Sequence, residues 1–227
     1  MGGDGLFKRR QEERRLRHSK KLELRSETWL IVCEGKETEV NYFNSLLNYA
    51  NSISDRKIKF EVIGLGRNTT SLVNSVDGLF NYSDSLLRKT RIPYGKVFVV
   101  FDKDDFTDSQ FNLAIQKCHS KGYVPLWSNE CIELWFILHY EYIQSSLTRK
   151  QYFEKLSQKL GKKYTKNDNH FELLNSKINI QNAYKNAKKL YECNNMGCKT
   201  YAEQNPSTTI YKIIDEIEES LDIKLKW

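Results

Sequence analysis

The chain has 227 residues, 39% of them hydrophobic, with three prolines and eleven glycines, which is enough to bury one sizeable core. No apolar run approaches the ~20 residues that cross a bilayer, and no apolar signal region follows the charged N-terminus. These features exclude the membrane and the secreted disulfide-rich classes, so we expect a globular cytoplasmic protein whose five cysteines are reduced.

The positive charge is concentrated near the N-terminus, in an arm predicted over residues 1–25. Its segment KRRQEERRLRHSKKLELR holds nine Lys or Arg against three Glu and carries +6 of the net charge of +7. Such an arm suits the neutralisation of nucleic-acid phosphates, which would make binding salt-dependent. A solvated tail without a specific partner is the alternative interpretation. The candidate phosphate contacts of the arm are Arg9, Arg10, Arg14, Arg15 and Arg17.

Short apolar runs alternate with helical patterns over residues 26–142, the predicted core. The first run, TWLIVCE, is nearly continuous, as in a strand covered on both faces. After it, Val40, Phe43 and Leu47 recur at helical spacing, so a helix is predicted to begin near residues 37–39. Further strands are predicted in KIKFEVIG, KVFVVFD and GYVPLWSN, with helices in NTTSLVNSVDGLF and ECIELWFILHY. The alternation predicts an α/β fold with a mostly parallel sheet flanked by helices.

Residues 143–227 change character and are predicted to form a helical extension packed on the core. Their lysine-rich, aromatic-bearing segments have helical patterns, and NPSTTIYKIIDEIEESL predicts a capped helix with an isoleucine stripe. The lysines and tyrosines of this region suit contacts with the backbone and bases of a nucleic acid. The alternative is that they form the solvated faces of ordinary helices.

Acidic side chains follow the predicted strands at the points where the strands end. Glu34 follows the first strand, and Asp102 and Asp104 follow the third. Because functional groups gather at the carboxyl ends of parallel strands, we expect these acids to converge on one edge of the sheet. Their repulsion is costly without a cation, and hard oxygen ligands at an open site favour Mg²⁺ or Mn²⁺. Supporting candidates at the same edge are Glu39, Asp105, Asn129 and Glu133.

The segment GLGRNTTSLV, after the second strand, offers a candidate phosphate site. Backbone amides, Arg67, Asn68 and Thr69 would hold the anion at the start of the following helix. A flexible turn in which Asn68 or Thr69 caps the helix is the simpler account. The segment lacks the lysine of a P-loop and the spacing of a dinucleotide-binding fingerprint, so no ATPase activity is predicted. The spacing of cysteines and histidines predicts no zinc site.

Four segments together resemble the RloB family: IVCEGKETEVNYF, VFVVFDKDDF, SNECIELWFILHY and NPSTTIYKIIDEI. The resemblance covers roughly residues 25–220 and implies a Toprim-like fold and an association with restriction and phage-defence loci. In Toprim domains, a glutamate after the first strand and an Asp-x-Asp after the third bind Mg²⁺. Glu34, Asp102 and Asp104 match that pattern, and Glu39 suits the RloB pattern Glu-Gly-x-x-Thr-Glu. Glu130 departs from the family, which usually has a proline there, and this bears on the local turn.

The resemblance and the acids together predict Mg²⁺-dependent phosphodiester hydrolysis of nucleic acid. Asp102 and Asp104 would hold the metal, and Glu34 would be a further ligand or the general acid/base. The alternative is a non-catalytic adaptor that binds nucleic acid or a phage component. RloB-like proteins are often encoded near a separate AAA-type ATPase, which would be the partner of such an adaptor. A third interpretation is metal-dependent binding of a nucleotide or second messenger at the same edge.

Overall fold

The computed structural model describes residues 28–67, 69–79, 94–104, 106–175, 180–197 and 200–225. Within them, five strands form one sheet in the order β2-β1-β3-β4-β5. The first four strands are parallel and β5 is antiparallel to β4. This confirms the predicted α/β fold with a mostly parallel sheet. The strands are β1 (Thr28–Cys33), β2 (Lys59–Gly64), β3 (Lys96–Asp102), β4 (Val124–Asn129) and β5 (Ser207–Thr208).

Helices connect the parallel strands and make up most of the extension. Along the described chain they are α1 (Thr38–Ser52), α2 (Thr69–Leu79), α3 (Asp108–Ser120), α4 (Glu133–Leu138), α5 (Arg149–Leu160), α6 (His170–Asn175), α7 (Ile180–Asn195) and α8 (Tyr211–Leu221). Two of them begin with a capping box, in which a threonine and the glutamine three residues later bond each other's backbone. None of the described helices is long and apolar enough to cross a membrane.

The continuous apolar run of β1 results from its position between two strands and two helical layers. Every residue of β1 is buried, and alternate side chains enter opposite faces of the sheet. Trp29 and Ile31 pack in a cluster that contains residues of α1 and of α4 to α8. Leu30 and Val32 pack in a second cluster, with residues of α2 and α3. Helices therefore cover both faces, and a strand so placed is apolar throughout.

The extension completes the sheet as well as covering it. Strand β5 pairs with the end of β4, where Ser128 lies opposite Thr208. Thr209 then bonds Trp127 twice, because its amide donates to the Trp127 carbonyl and its hydroxyl accepts from the Trp127 amide, both at 2.9 Å. The predicted isoleucine stripe of α8 is buried in the first cluster. The two residues of β5 are too few to produce a strand pattern, and the sequence predicted only helices here.

Several predicted site residues cannot be placed in this fold. The arginines of the N-terminal arm, Asn68 and Asp105 all lie outside the described residues. Thr69 is the first residue of α2, and only its backbone is described. The predictions made for these positions remain predictions.

Candidate active site

The pairing of neighbouring strands brings Glu34 and Asp102 together. In the register of β1 with β3, Cys33 lies opposite Val100, so both strands end at the same edge. The Glu34 amide donates to the Val100 carbonyl at 3.0 Å, which extends the ladder by one bond. The Asp102 amide in turn donates to Oε2 of Glu34 at 3.4 Å. Two acids that are 68 positions apart therefore share the carboxyl end of the sheet.

A cavity of about 320 Å³ opens at this edge. Its wall is built from the turn after β1, the start of α1, the end of β3, the start of α4 and the loop after α5. The charged side chains among its lining residues include Glu39, Asp102, Glu133, Lys36 and Lys166. Acids from three separate segments thus face one space, together with two lysines.

Asp102 lies at the centre of the negative charge. Burial raises its pKa well above the ordinary value for an aspartate, and three neighbouring carboxylates raise it further. They are, in order of effect, Glu39, Glu133 and Glu34. A hydrogen bond from the Ile132 amide acts in the opposite direction and lowers the pKa. Because these effects penalise the charged form, the site binds a proton or a cation more tightly than a solvated aspartate does.

Glu39 belongs to the same electrostatic cluster. Burial raises its pKa most, and the charge of Glu133 adds to the increase. A bond from its own amide lowers the pKa, as do the positive charges of Lys166 and Arg149. Two cations of the extension therefore act directly on an acid of the core.

Glu133 is held in place by donors on both sides. It is 2% exposed, and the Tyr164 hydroxyl donates to its Oε1 at 2.8 Å. The Cys131 thiol also forms a hydrogen bond with Glu133. Burial and the negative charge of Glu133 raise the pKa of both donors. The Tyr164 ring is itself stacked on His170 at a centroid distance of 4.8 Å, so the acceptor and its donor are both fixed.

Two glycines allow the turn after β1 to form the wall of the cavity. A Cβ atom on Gly35 would lie 2.1 Å from Oε2 of Glu39, so the Glu39 carboxylate rests against the Gly35 backbone. A Cβ atom on Gly64, at the end of β2, would lie 2.4 Å from the Gly35 carbonyl oxygen. The glycine after Glu34 was visible in the sequence, but its contact with the end of the neighbouring strand was not.

Asp104 is engaged away from the cavity. It lies beyond the end of β3 with φ of 39°, and its amide donates to the Glu130 carbonyl at 3.1 Å. Its carboxylate forms an ion pair with Arg149, the first residue of α5. Asp104 is not among the residues that line the cavity, whereas Glu133 is. The described acids that surround Asp102 are therefore Glu34, Glu39 and Glu133.

The remaining described candidates make structural bonds in this conformation. The Asn129 side chain is 2% exposed and donates to the Ala202 carbonyl at 2.9 Å, which ties the end of β4 to the extension. The peptide bond between Asn129 and Glu130 is cis. The guanidinium of Arg67 donates to Oγ of Ser75, on α2, at 2.6 Å. Neither side chain is among those that line the cavity.

The acids suit a hard divalent cation by their chemistry more than by their spacing. Carboxylate oxygens are the ligands that Mg²⁺ and Mn²⁺ prefer, and the charge at Asp102 favours a cation. Within the described ranges, however, no three His, Cys, Asp or Glu side chains form a group that could hold a metal ion.

Three residues of the site have no local signature in the sequence. Arg149, Tyr164 and Lys166 lie in the extension and reach the acids only through the tertiary fold. The one signal nearby is the capping box of Thr148 and Gln151, which marks where α5 starts but not what Arg149 contacts. Their contribution could not be inferred before the extension was placed against the core.

Comparison with known proteins identifies one family. The family model described as RloB-like protein matches residues 29–217, which include every described residue of the sheet except Thr28 and all described residues of the cavity. No curated protein and no solved structure matches the chain.

Proposed function

Because the chain belongs to the RloB-like protein family, we propose that it is a phosphodiesterase that acts on nucleic acid and depends on Mg²⁺ or Mn²⁺. The observation that carries this proposal is that Asp102, Glu39 and Glu133 line one cavity, where burial and the neighbouring carboxylates, Glu34 included, raise the pKa of Asp102. Such clusters cost stability unless a cation compensates them. They are typical of functional sites, although structural ion-pair networks also shift pKa values.

The distribution of positive charge supports a phosphate-bearing substrate. Lys36 and Lys166 line the cavity, and the charge of Arg149 acts on Glu39. Binding of a phosphodiester would use both acidic and basic side chains. The acids would hold a metal for one phosphate oxygen, and the basic side chains would offset the repulsion between the acids and the phosphate. The basic arm of residues 8–25 adds a second region suited to a phosphate backbone.

In this proposal Asp102, Glu39 and Glu34 hold the cation, and Asp104 joins them if its pair with Arg149 opens. Such a cation would supply Lewis-acid chemistry to the phosphate oxygens and to the attacking water. Glu34, whose Oε2 accepts a hydrogen bond from the Asp102 amide, would take the proton of the attacking water. Glu133, whose position is fixed by the hydrogen bond from Tyr164, is a further carboxylate in the lining of the cavity.

The test is cleavage of labelled single- and double-stranded DNA and RNA by the purified chain with Mg²⁺ or Mn²⁺. Glu34→Gln and Asp102→Asn should abolish cutting, because each removes a charge from the cluster. Glu192→Gln is the matched control, since this exposed glutamate lies on α7, away from the cavity. Cutting that survives in both site variants would remove the carboxylates from the mechanism.

A different outcome would favour the adaptor function. If the wild-type chain binds Mn²⁺ and nucleic acid but cuts neither DNA nor RNA, the site serves recognition in a complex with an ATPase partner. Metal-dependent binding of mononucleotides without strand cleavage would instead favour nucleotide or second-messenger binding. The same set of variants separates these functions, since Asp102→Asn should impair metal-dependent binding in either case.

A further inference from the structure

We infer that Arg149, beside the acidic cavity, and Lys166, in its wall, form a phosphate-binding pair, so that the C-terminal extension contributes a grip on the nucleic-acid backbone. The inference rests on the proposed function, which supplies the phosphodiester as the ligand. It assigns the grip to one side chain in the wall of the cavity, Lys166, and one that is paired with Asp104 outside that wall, Arg149.

Arg149 stands at a fixed point beside the acids. The capping box of Thr148 and Gln151 sets the start of α5, and Arg149 is its first residue. Burial raises the pKa of Glu39 and that of Cys131, next to the cavity, and the positive charge of Arg149 acts against this increase at both groups. The guanidinium therefore lies within electrostatic range of the groups that a substrate phosphate would approach.

Not every hydrogen-bond donor of the Arg149 guanidinium has a partner among the described residues in this conformation. One Nη forms an ion pair with Asp104, while Nε is buried and has no hydrogen-bond partner among the described residues. A guanidinium offers five donors in a planar fork that matches a phosphate. A phosphate that displaces Asp104 would take two of these donors at once, and it would leave the Asp104 carboxylate available to a cation. The ion pair thus describes the resting site, and substrate binding exchanges its partners.

Lys166 belongs to the wall of the cavity itself. Its loop is fastened to the start of α1, because the Thr38 hydroxyl donates to the Lys166 carbonyl at 2.8 Å. Its side chain lines the cavity and its charge lowers the pKa of Glu39. In the part of the chain that the structure describes, its ammonium forms no salt bridge, and its Nζ lies 5.7 Å from the centroid of the Phe153 ring. The Lys166 ammonium, in the cavity lining and without a salt-bridge partner among the described residues, can therefore bind a phosphate oxygen.

The simpler role of both cations would be to neutralise the acids. The two roles make different predictions. Cations that only neutralise acids affect stability and metal binding, whereas phosphate ligands affect nucleic-acid affinity and its salt dependence. Each residue has an exposed neighbour of the same charge as a control. Lys150 is next to Arg149, with a side chain that is 88% exposed, and Lys163 lies on the same loop as Lys166.

The experiment measures binding of fluorescein-labelled single-stranded DNA and RNA oligonucleotides to the full chain, in EDTA and in Ca²⁺, over a range of salt. Arg149→Met and Lys166→Met should each weaken binding about tenfold, as expected for a charge-assisted hydrogen bond of about 1.4 kcal/mol. Each should also reduce the slope of log K against log salt by about 0.7, the value for one phosphate contact on a single strand. Lys150→Met and Lys163→Met should change neither quantity.

Two further measurements separate a binding role from a structural one. Arg149→Lys keeps the charge without the fork, so its affinity should fall between those of the wild type and Arg149→Met. Stabilisation of the fold by Mn²⁺ should persist in Arg149→Met and Lys166→Met, because the carboxylates remain.

Site variants that bind no more weakly than their controls would overturn the assignment, and so would a wild-type chain that binds neither oligonucleotide. Both of these outcomes concern binding and do not depend on whether the chain cuts nucleic acid. If cutting survives Asp102→Asn while Arg149→Met still lowers affinity, the proposed role of Asp102 in hydrolysis fails and the phosphate grip stands.

Discussion

Replacing Gly64 with alanine should destabilise the fold by about 1–3 kcal/mol, because an added methyl group has no room at this position. A Cβ atom on Gly64 would lie 2.4 Å from the Gly35 carbonyl oxygen and 2.7 Å from Cα of Lys36. Real Cβ atoms essentially never come closer than 3.0 Å to another heavy atom. Because both neighbours are backbone atoms, no change of rotamer relieves the contact. The end of β2 and the turn after β1 would therefore have to separate.

Thermal unfolding with a matched glycine measures this cost. For a chain of this size, 1 kcal/mol shifts Tm by roughly 2–4 °C, so the Tm of Gly64→Ala should fall by about 2–12 °C. Gly78 is the control, since a Cβ atom there would meet no heavy atom within 4 Å. It lies inside α2, where alanine is favoured over glycine by roughly 0.5–1 kcal/mol, so Gly78→Ala should raise Tm. The two substitutions are chemically identical and should have opposite signs.

The same glycine also supports the site. Separation of the turn displaces Glu34 and Glu39, so Gly64→Ala should weaken the stabilisation that Mn²⁺ gives. At Gly35, a Cβ atom would meet the end of the Glu39 side chain, which can rotate away, so Gly35→Ala should cost less stability while it still impairs the Mn²⁺ response. If Gly64→Ala unfolds at the wild-type temperature and keeps the full Mn²⁺ response, the close approach of β2 to the turn is refuted.

Three further predictions concern buried polar groups. The pKa of Asp102 is raised in the folded state, so the neutral carboxyl is favoured there. Its contribution to stability is therefore fully present below the unfolded pKa of about 3.9, and it is lost as the pH rises through the folded pKa. Asp102→Asn should therefore unfold at a higher temperature than the wild type in EDTA near neutral pH, and an equal or lower Tm would contradict the cluster. Burial lowers the pKa of His139 to about 4 from an ordinary value near 6.5, so this group costs about 3 kcal/mol of stability as pH falls across that interval. Urea unfolding at about pH 6.5 and at about pH 4 should show that His139→Gln loses less unfolding free energy between these two pH values than the wild type does. Tyr164→Phe removes a donor from buried Glu133 and should cost about 1–3 kcal/mol in the same assay, whereas Tyr142→Phe, at an exposed hydroxyl, should stay within about 0.5 kcal/mol of the wild type.

Strands β1 and β3 were predictable because burial on both faces is written into each of them as a continuous apolar run. All six residues of β1 are buried, and the run TWLIVC is typical of a strand covered on both faces. The first residue of α1, Thr38, also fell within the predicted interval of residues 37–39. Strand β5 was not predictable, because its two residues pair through a partner strand that is about 80 positions distant. Local patterns report burial, while edge pairing depends on the assembled sheet.

The candidate site divides in the same way. Sequence order and strand ends were sufficient to bring Glu34 and Asp102 to one edge, since parallel strands in register end together. Arg149, Lys166 and Tyr164 required the packing of the extension, which no periodicity specifies. These residues supply positive charge and hydrogen bonds to the cluster of acids. The sequence therefore predicted the acids of the site but not the groups that offset their charge.

The separation of Asp104 from Asp102 follows from the place where β3 ends. Residues i and i+2 of a strand share one face, so an Asp-x-Asp pair inside a strand presents both carboxylates to one site. β3 ends at Asp102, and with φ of 39° Asp104 has left the strand, so the alternation no longer determines where its side chain lies. Its position is set by the Glu130 carbonyl and by Arg149, both outside the strand. Sequence spacing therefore identifies the strand end that carries the acids, whereas the extension determines which acids face the cavity in the resting site.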